Sequence, residues 1–213
     1  MSSTPGKQET GGRRPQRVDA RSNRQRILTV AEEVFGKGGQ SASTEEVARL
    51  AGVGIATVFR HFPTKVALLE AVLVQRFDRL REQAETRLHA TDPGPAFFDL
   101  FGHLVADAAG KIAIGEALLD AGGDHGGDAA RASDGLRGAV GALLRRAQRA
   151  GAVRDDVELP EVYALLVATS QASARAHLHE EGRARMLTIV FDGLAPQKAT
   201  VTLRSASPPD VPC

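Results

Sequence analysis

The sequence predicts an all-α fold, on three observations. Apolar side chains recur at three- and four-residue spacing through most of residues 27–194, the mark of helices with one buried face. Clusters of Gly and Pro cut that stretch into helix-length pieces. No segment alternates like a strand except residues 200–203, which are too few and too isolated to build a sheet. With 213 residues, 42% of them apolar and 25% charged, the chain can bury a core, as one large domain or a small one joined to a larger.

Residues 1–20 hold Ser, Thr, Gly, Pro, Gln and Arg with almost no apolar side chains, so a disordered basic arm is expected. Ile27, Val30, Ala31, Val34 and Phe35 then share one face of a first helix, ended by Gly36, Gly38 and Gly39. Ser43 or Thr44 can cap a short second helix through Leu50, and Glu46, three residues after Ser43, completes a capping box. Gly52-Val53-Gly54 breaks the chain before a third helix over residues 55–62. After Pro63, Thr64 can cap a long helix over 65–88, whose inner face carries Leu68, Leu69, Val72, Leu73, Arg76, Phe77 and Leu80. Beyond the break at Asp92-Pro93-Gly94-Pro95, helices are expected at 96–109, 112–121, 129–150, 160–179 and 182–194. Residues 196–213 contain Pro196, Pro208, Pro209 and Pro212 and read as a flexible tail.

The formal charge of +1 hides an asymmetry. Residues 1–80 carry 13 Lys/Arg against 8 Asp/Glu, and residues 81–213 carry 14 against 18. The basic excess sits almost wholly in the first 26 residues, which fits either a polyanionic partner or a solvated tail. The single cysteine, Cys213, excludes an intramolecular disulfide and a cysteine-built metal cluster. The longest apolar runs fall short of the roughly 18 residues a membrane helix needs. The N-terminal arginines are not followed by the apolar stretch of a secretory signal. A cytoplasmic chain without membrane contact is therefore expected.

The stretch from Thr44 to Lys65 has the layout of a helix-turn-helix: a short helix, a turn holding Gly52, and a second helix of about eight residues. Such a pair works by bracing its first helix across the phosphates while the second enters the major groove, where base edges are distinguishable. Ala48, Gly52 and Ala56 are small enough for close helix packing, and Val47, Val53, Val58 and Phe62 supply the core beneath. By spacing alone, any two short packed helices can give the same pattern. Glu32, Glu33, Glu45 and Glu46 read as solvated helix faces.

The wording of the residues is more specific. Asn23-Arg24-Gln25-Arg26-Ile27-Leu28, Ala31-Glu32-Glu33-Val34-Phe35, Glu46-Val47-Ala48-Arg49-Leu50-Ala51-Gly52-Val53 and Thr57-Val58-Phe59-Arg60-His61-Phe62-Pro63-Thr64-Lys65-Val66-Ala67-Leu68 follow one another in order. From about Arg21 to Val74 the chain closely resembles the tetracycline-repressor (TetR) family. The resemblance implies a three-helix DNA-binding head over residues 21–66 and an all-helical effector-binding and dimerisation body over 67–195. It also implies a homodimer, usually a repressor, that leaves its operator when a small molecule binds.

Carried onto this sequence, the resemblance places Thr44 as a capping hydroxyl that also touches phosphate. It opens the recognition helix at Gly54, Ile55, Ala56 and Thr57. Phe59 stands where the family usually has a tyrosine whose hydroxyl binds phosphate, so that contact is missing. Arg60 is assigned to a base or phosphate, and His61 and Lys65 to phosphates, Lys65 at a helix start that itself favours anions. Gly54, Ile55 and Ala56 offer few hydrogen bonds, so base readout is expected to lean on Thr57, Arg60, apolar contact with thymine methyls, and DNA shape. The basic arm is expected to add minor-groove or phosphate contacts, with Arg21 and Arg24 just after it.

Two heads must be held at a fixed spacing, so the body should dimerise. The expected interface uses Leu165, Thr169, Ala172 and Ser173 with Leu187, Val190, Phe191 and Leu194 of the last two helices, as a four-helix bundle with the partner copy. An effector pocket is expected to be mainly aliphatic, with a few placed polar groups. Phe97, Phe98, Leu100, Phe101, Leu104 and Val105 would line it, with Ile112, Ile114, Leu118, Leu119, Leu143 and Leu144 opposite, and His103, Asp107, Tyr163 and Gln171 as its polar groups. No cofactor and no metal are expected. Asp120, Asp124, His125 and Asp128 lie in a glycine-rich loop, and His177 and His179 are two apart, so they face different sides of a helix. The sequence has no nucleophile elbow, phosphate-cradling glycine loop or HExxH, so no enzyme is expected. The alternatives are an activator, a regulator answering to no ligand, or a helical protein-interaction module with a vestigial head.

Overall fold

A computed structural model describes residues 14–124, 126–176 and 178–196. Among them are eight α-helices and no strand: α1 (Arg14–Gly38), α2 (Thr44–Leu50), α3 (Ile55–His61), α4 (Lys65–Arg87), α5 (Pro93–Asp120), α6 (Gly127–Arg149), α7 (Leu159–Arg175) and α8 (Glu180–Leu194). A single 3-10 turn, Gly39–Ser41, follows α1. The predicted helix ends lie within a few residues of these bounds, with two exceptions.

The first exception is α1. Residues 14–20 belong to it rather than to a disordered arm. Arg, Gln and Ala are good helix formers, and adding a turn to a helix nucleated further along costs little. Residues 1–13 lie outside the described residues, as do His125, His177, the tail from 197 on and the isolated 200–203 segment.

The second exception is α5, where two predicted helices form one. Asp92 caps it, its Oδ1 accepting from the Gly94 amide at 3.1 Å, with Pro93 in the first turn where its missing N–H costs nothing. Gly110, in the gap between the two expected helices, lies within it and answers a packing need. A Cβ there would stand 3.0 Å from Nη2 and 3.2 Å from Nη1 of Arg76. The glycine makes room for a guanidinium, so the helix runs on through it.

Helices α1–α3 form the head, and α4 leads from it into the body, where it packs along α6. α5 is the central helix, touching α1, α4, α6 and α7. One continuous core runs through both parts, from Ile27, Phe35 and Val58 through Leu68, Phe97 and Phe101 to Leu143 and Val162. Phe98 and Phe101 of α5 close on Phe191 of α8, with ring centroids 4.8 and 5.6 Å apart. No helix among the described residues is long and apolar enough to cross a membrane.

Candidate functional site

The turn between α2 and α3 is built by a helix stop. Gly52 adopts φ +64°, a left-handed conformation that a side chain disfavours. The Gly52 amide donates to the Arg49 carbonyl at 3.2 Å and the Val53 amide to the Ala48 carbonyl at 3.1 Å, the paired bonds of a Schellman stop. At the other end of α2, the Ser43 hydroxyl accepts from the Glu46 amide at 3.1 Å. Ser43 is thus the cap, and Thr44 is the first helical residue, buried to 6% exposure. The expectation that Thr44 caps and faces phosphate is corrected: with one residue's shift along the chain, its side chain turns into the core.

Gly54 precedes α3 in an extended conformation, and the Thr57 amide donates to its carbonyl at 2.8 Å. Val58 and Phe62, four residues apart, bury one side of α3 against the head. The helical period then turns Ile55, Ala56, Phe59 and Arg60 outward, and all four are exposed; Thr57 and His61 flank them half-buried. The structure therefore brings together Gly54, Ile55, Ala56, Thr57, Phe59, Arg60 and His61 on one short helix with a free face. Arg24 of α1 joins it from the side, its guanidinium 5.0 Å from the centre of the Phe62 ring. Arg21 and Arg49 are exposed as well.

Lys65 has a structural post. Its ammonium donates to the Ala42 carbonyl at 3.0 Å and lies 5.5 Å over the Phe35 ring, tying the start of α4 to the chain ahead of α2 and to α1. The charge stands at the α4 N-terminus, where the Thr64 hydroxyl accepts from the Ala67 amide at 3.0 Å.

In the body, α4, α5, α6 and α7 line a half-open cavity of about 110 Å³, walled by Leu80, Leu104, Ala108, Ile112, Leu136, Leu166 and the exposed Val167. Asp107, Lys111, Tyr163, Ser170 and Gln171 are its polar residues. Of the expected lining, Leu104, Ile112, Asp107, Tyr163 and Gln171 are there. Phe97, Leu100, Phe101, Val105, Ile114, Leu118, Leu143 and Leu144 are buried in the solid core instead, and Phe98 packs on Phe191, because the helices approach too closely at those positions to leave space. His103 is exposed, and Leu119 is turned outward onto a neighbouring groove with Glu116. All of these depart from the predicted pocket. The Tyr163 hydroxyl is buried without a hydrogen-bond partner, and burial pushes its pKa up to about 12.

Sequence reasoning missed a charge network beside this cavity. Arg76, only 8% exposed in its side chain, donates from Nε to Asp107 at 2.7 Å, from Nη1 to Glu32 at 2.8 Å and from Nη2 to the Asp107 carbonyl at 2.6 Å. Arg79 adds two bonds to Glu32, at 2.9 and 2.7 Å. Glu32 is therefore not a solvated face: Arg79 hydrogen bonds and charge, with Arg76, outweigh burial and hold its carboxyl below the usual carboxylate range. The available signal was Arg76 itself, a charged residue on the apolar period of α4, which requires a buried partner.

The expected dimer surface is only partly free. Thr169 is buried, its hydroxyl donating to the Leu165 carbonyl at 2.6 Å, and Leu194 is buried in the core. Phe191, Leu187 and Val190 pack against the chain's own core, half-buried. The four on α8 are drawn inward because α8 closes over α5, and Thr169 because α7 packs on α5. Leu165 and Ala172 remain exposed and Ser173 half-exposed. Val167, 52% exposed, and Ile189, 73% exposed, are large apolar residues outside the predicted set. The unbroken apolar run Ile189-Val190-Phe191 carried the hint, since such a run cannot all face one side.

Residues 27–72 match the family described as bacterial regulatory proteins, tetR family, and residues 92–196 match the C-terminal domain of SbtR-like transcriptional regulators. A TetR transcription regulatory protein from Mycobacterium vanbaalenii is 38% identical, covering 85% of this chain and all of its own, with a TM-score of 0.70. The TetR regulator SCO0520 of Streptomyces coelicolor is 32% identical over 81% of this chain and 98% of its own, with a TM-score of 0.67. The transcriptional activator FasR of Mycolicibacterium smegmatis is 32% identical over 102 residues, 44% of this chain and 47% of its own. This chain spans less than half the length of the curated relatives it matches. A matching head and a matching body, in this order and on this fold, make the chain a member of the TetR family of helix-turn-helix transcriptional regulators.

Proposed function

We propose that this regulator binds operator DNA as a homodimer through the outward face of α3, and leaves it when a small effector enters the body cavity. The observation that carries the reading is the division of α3: Val58 and Phe62 anchor it, while Ile55, Ala56, Phe59 and Arg60 stand free. Three of these four are apolar. Ile55, Ala56 and Phe59 suit thymine methyls, Arg60 a guanine edge or phosphate, and Thr57 either base type. His61, Arg24 and Arg21 supply backbone contacts, and Lys65 steadies the start of α4 and reaches phosphate with the donors that Ala42 leaves spare. On this reading residues 21–66 are the DNA-binding unit and 67–195 the regulatory unit. Exposed Leu165, Val167 and Ile189 on α7 and α8 support pairing of two bodies, since such a patch marks an interface. The chain acts on chromosomal DNA in the cytoplasm and carries out no catalysis of its own.

Repression is the proposed sign. A specific observation favours a second reading, activation: the FasR relative is named an activator, and a head alone does not fix whether polymerase is blocked or recruited. The experiment is an anisotropy titration of the full chain against DNA upstream of its own gene, with random DNA as competitor, across a salt series. Selective binding whose log K falls with log[salt] by roughly 0.9 per phosphate contact is expected. Thr57→Ala and Arg60→Ala should each weaken selective binding by about 1–3 kcal/mol. Binding no tighter than to random DNA at any salt, or wild-type selectivity in both variants, would overturn the assignment. Transcription from that promoter with and without the chain decides the sign.

A further inference from the structure

The ion network sits where the head meets the body. α1 and the 3-10 turn after it carry the head's packing on α5. At one point of that contact two glycines face one another: a Cβ on Gly36 would stand 3.7 Å from the Cα of Gly110. Glu32 lies one turn before Gly36 on α1, and Asp107 one turn before Gly110 on α5. Arg76 of α4 spans the two carboxylates, at 2.8 and 2.7 Å, while Arg79 braces Glu32 from α4 as well. Lys111 adds its charge to Asp107 through space. These contacts differ in what they can fix. Apolar packing is non-directional, and a pair of glycines offers no side-chain ridge to interlock, so the crossing by itself sets the angle of α1 on α5 only weakly. A guanidinium bonded to two carboxylates is directional. The Arg76 and Glu32 side chains are only 8% and 15% exposed, so a turn of α1 away from α4 would leave charge unpaired and poorly hydrated.

We propose that the Glu32–Arg76–Asp107 bridge is the clamp that sets the angle of the head on the body, and so the half-site spacing that the dimer accepts. The three are positioning residues, since none lies on α3. The assignment rests on the dimeric DNA-binding reading above and names the part of the chain that measures spacing. α1 packs on α2 and α3, and Arg24 of α1 lies over Phe62 at the end of α3, so α3 turns with α1. Two recognition helices fit successive major grooves about 34–36 Å apart. One added base pair moves a half-site by about 3.4 Å along the axis and by roughly a tenth of a turn around it. A head that turns freely on its body accepts neighbouring spacings, whereas a clamped head selects one. Arg87 and Asp99, 2.6 Å apart, also join α4 to α5, but this pair lies wholly within the body and has no hold on the head.

The full chain is titrated by anisotropy against the operator footprinted upstream of its own gene. The same operator with one base pair inserted or removed between its half-sites, and a single half-site, are titrated in parallel. Wild type should bind the natural spacing best. Glu32→Gln should shrink the affinity ratio between natural and altered spacing by at least about fivefold, the lower end of coupling between sites, while binding the single half-site as wild type does. Arg76→Lys, which keeps the charge but loses the fork that spans both carboxylates, should act in the same direction. Asp99→Asn should keep the wild-type ratio. A DNA-free measurement reads the angle itself, with Cys213→Ser and a spin label on Glu45→Cys, an exposed position of α2. Pulsed dipolar spectroscopy should give one narrow head-to-head distance, broadened or displaced by Glu32→Gln. An unchanged spacing ratio or distance distribution in Glu32→Gln, an equal loss on the single half-site, or the same shift in Asp99→Asn would each overturn the proposal. Selective binding with an unchanged ratio defeats the clamp alone. A wild-type chain that is monomeric, or that binds no operator selectively, defeats the regulator reading and the clamp with it.

Discussion

Replacing Arg76 by methionine tests whether the ion network joins α1, α4 and α5 energetically or merely decorates their contact. Methionine keeps much of the stem's packing and removes the guanidinium. Three hydrogen bonds vanish, at 2.6, 2.7 and 2.8 Å, two of them to carboxylates. The losses fall unequally. Glu32 keeps both Arg79 bonds, but Asp107 keeps only Arg79 at 4.0 Å and the through-space charge of Lys111, with its side chain 17% exposed. A carboxylate so placed becomes a nearly unpaired buried charge, and breaking such a pair costs about 3–5 kcal/mol. Urea denaturation at one fixed protomer concentration measures it, because subunit association would otherwise shift the midpoint. Arg76→Met should lose about 3–5 kcal/mol. Adding Asp107→Asn removes the orphaned charge, so the double variant should be more stable than the sum of the single losses predicts, by about 1–3 kcal/mol.

The pH dependence supplies a further check on the same network. The folded-state pKa of Glu32 is depressed, chiefly by Arg79. Its contribution is therefore fully present above the unfolded carboxylate value and is lost as pH falls through the folded one. Arg79→Met should erase more of this acid-side loss than Arg76→Met does. A cost below about 1 kcal/mol for Arg76→Met, strict additivity in the double variant, or an Arg76→Met effect that dominates the acid limb would refute the reasoning.

Other outcomes follow from single positions. Absorbance at 295 nm should show the only tyrosine ionising near 12 rather than at the ordinary phenol value; because the folded pKa is raised, stability should fall as pH climbs from the unfolded value toward 12. A titration midpoint near 10 in the folded chain would contradict the burial of Tyr163. Gly110→Ala places a methyl against the Arg76 guanidinium and should cost about 1–3 kcal/mol in urea despite alanine's better helix propensity; a stabilised variant would contradict that packing. Ile189→Asp leaves the monomer core untouched, since the side chain is 73% exposed, but should shift light-scattering mass toward a monomer and weaken operator binding. An unchanged oligomeric mass would remove Ile189 from the interface.

What residue order decided by itself is local. The helical periods, the Ser43 cap, the break at Asp92 and the Gly52 stop are written in neighbours two to five residues apart, because a helix turn and its end are closed by bonds over that span. The same holds for the free face of α3, since Val58 and Phe62 on the inside dictate which residues point out. Only the tertiary structure decided the rest. Gly110 reads as a break until Arg76 is placed against it, and Glu32 reads as solvated until Arg76 and Arg79 reach it from α4 across more than forty positions. Apolar residues on α5 and α6 gave no sign of which would seal the core and which would line a cavity. That division depends on how closely the helices approach, and Phe97 and Leu143 close up where Leu104 and Tyr163 do not. Periodicity records which face of a helix turns inward. How closely the opposing helix approaches is set by side chains from several elements together, so it belongs to the folded chain.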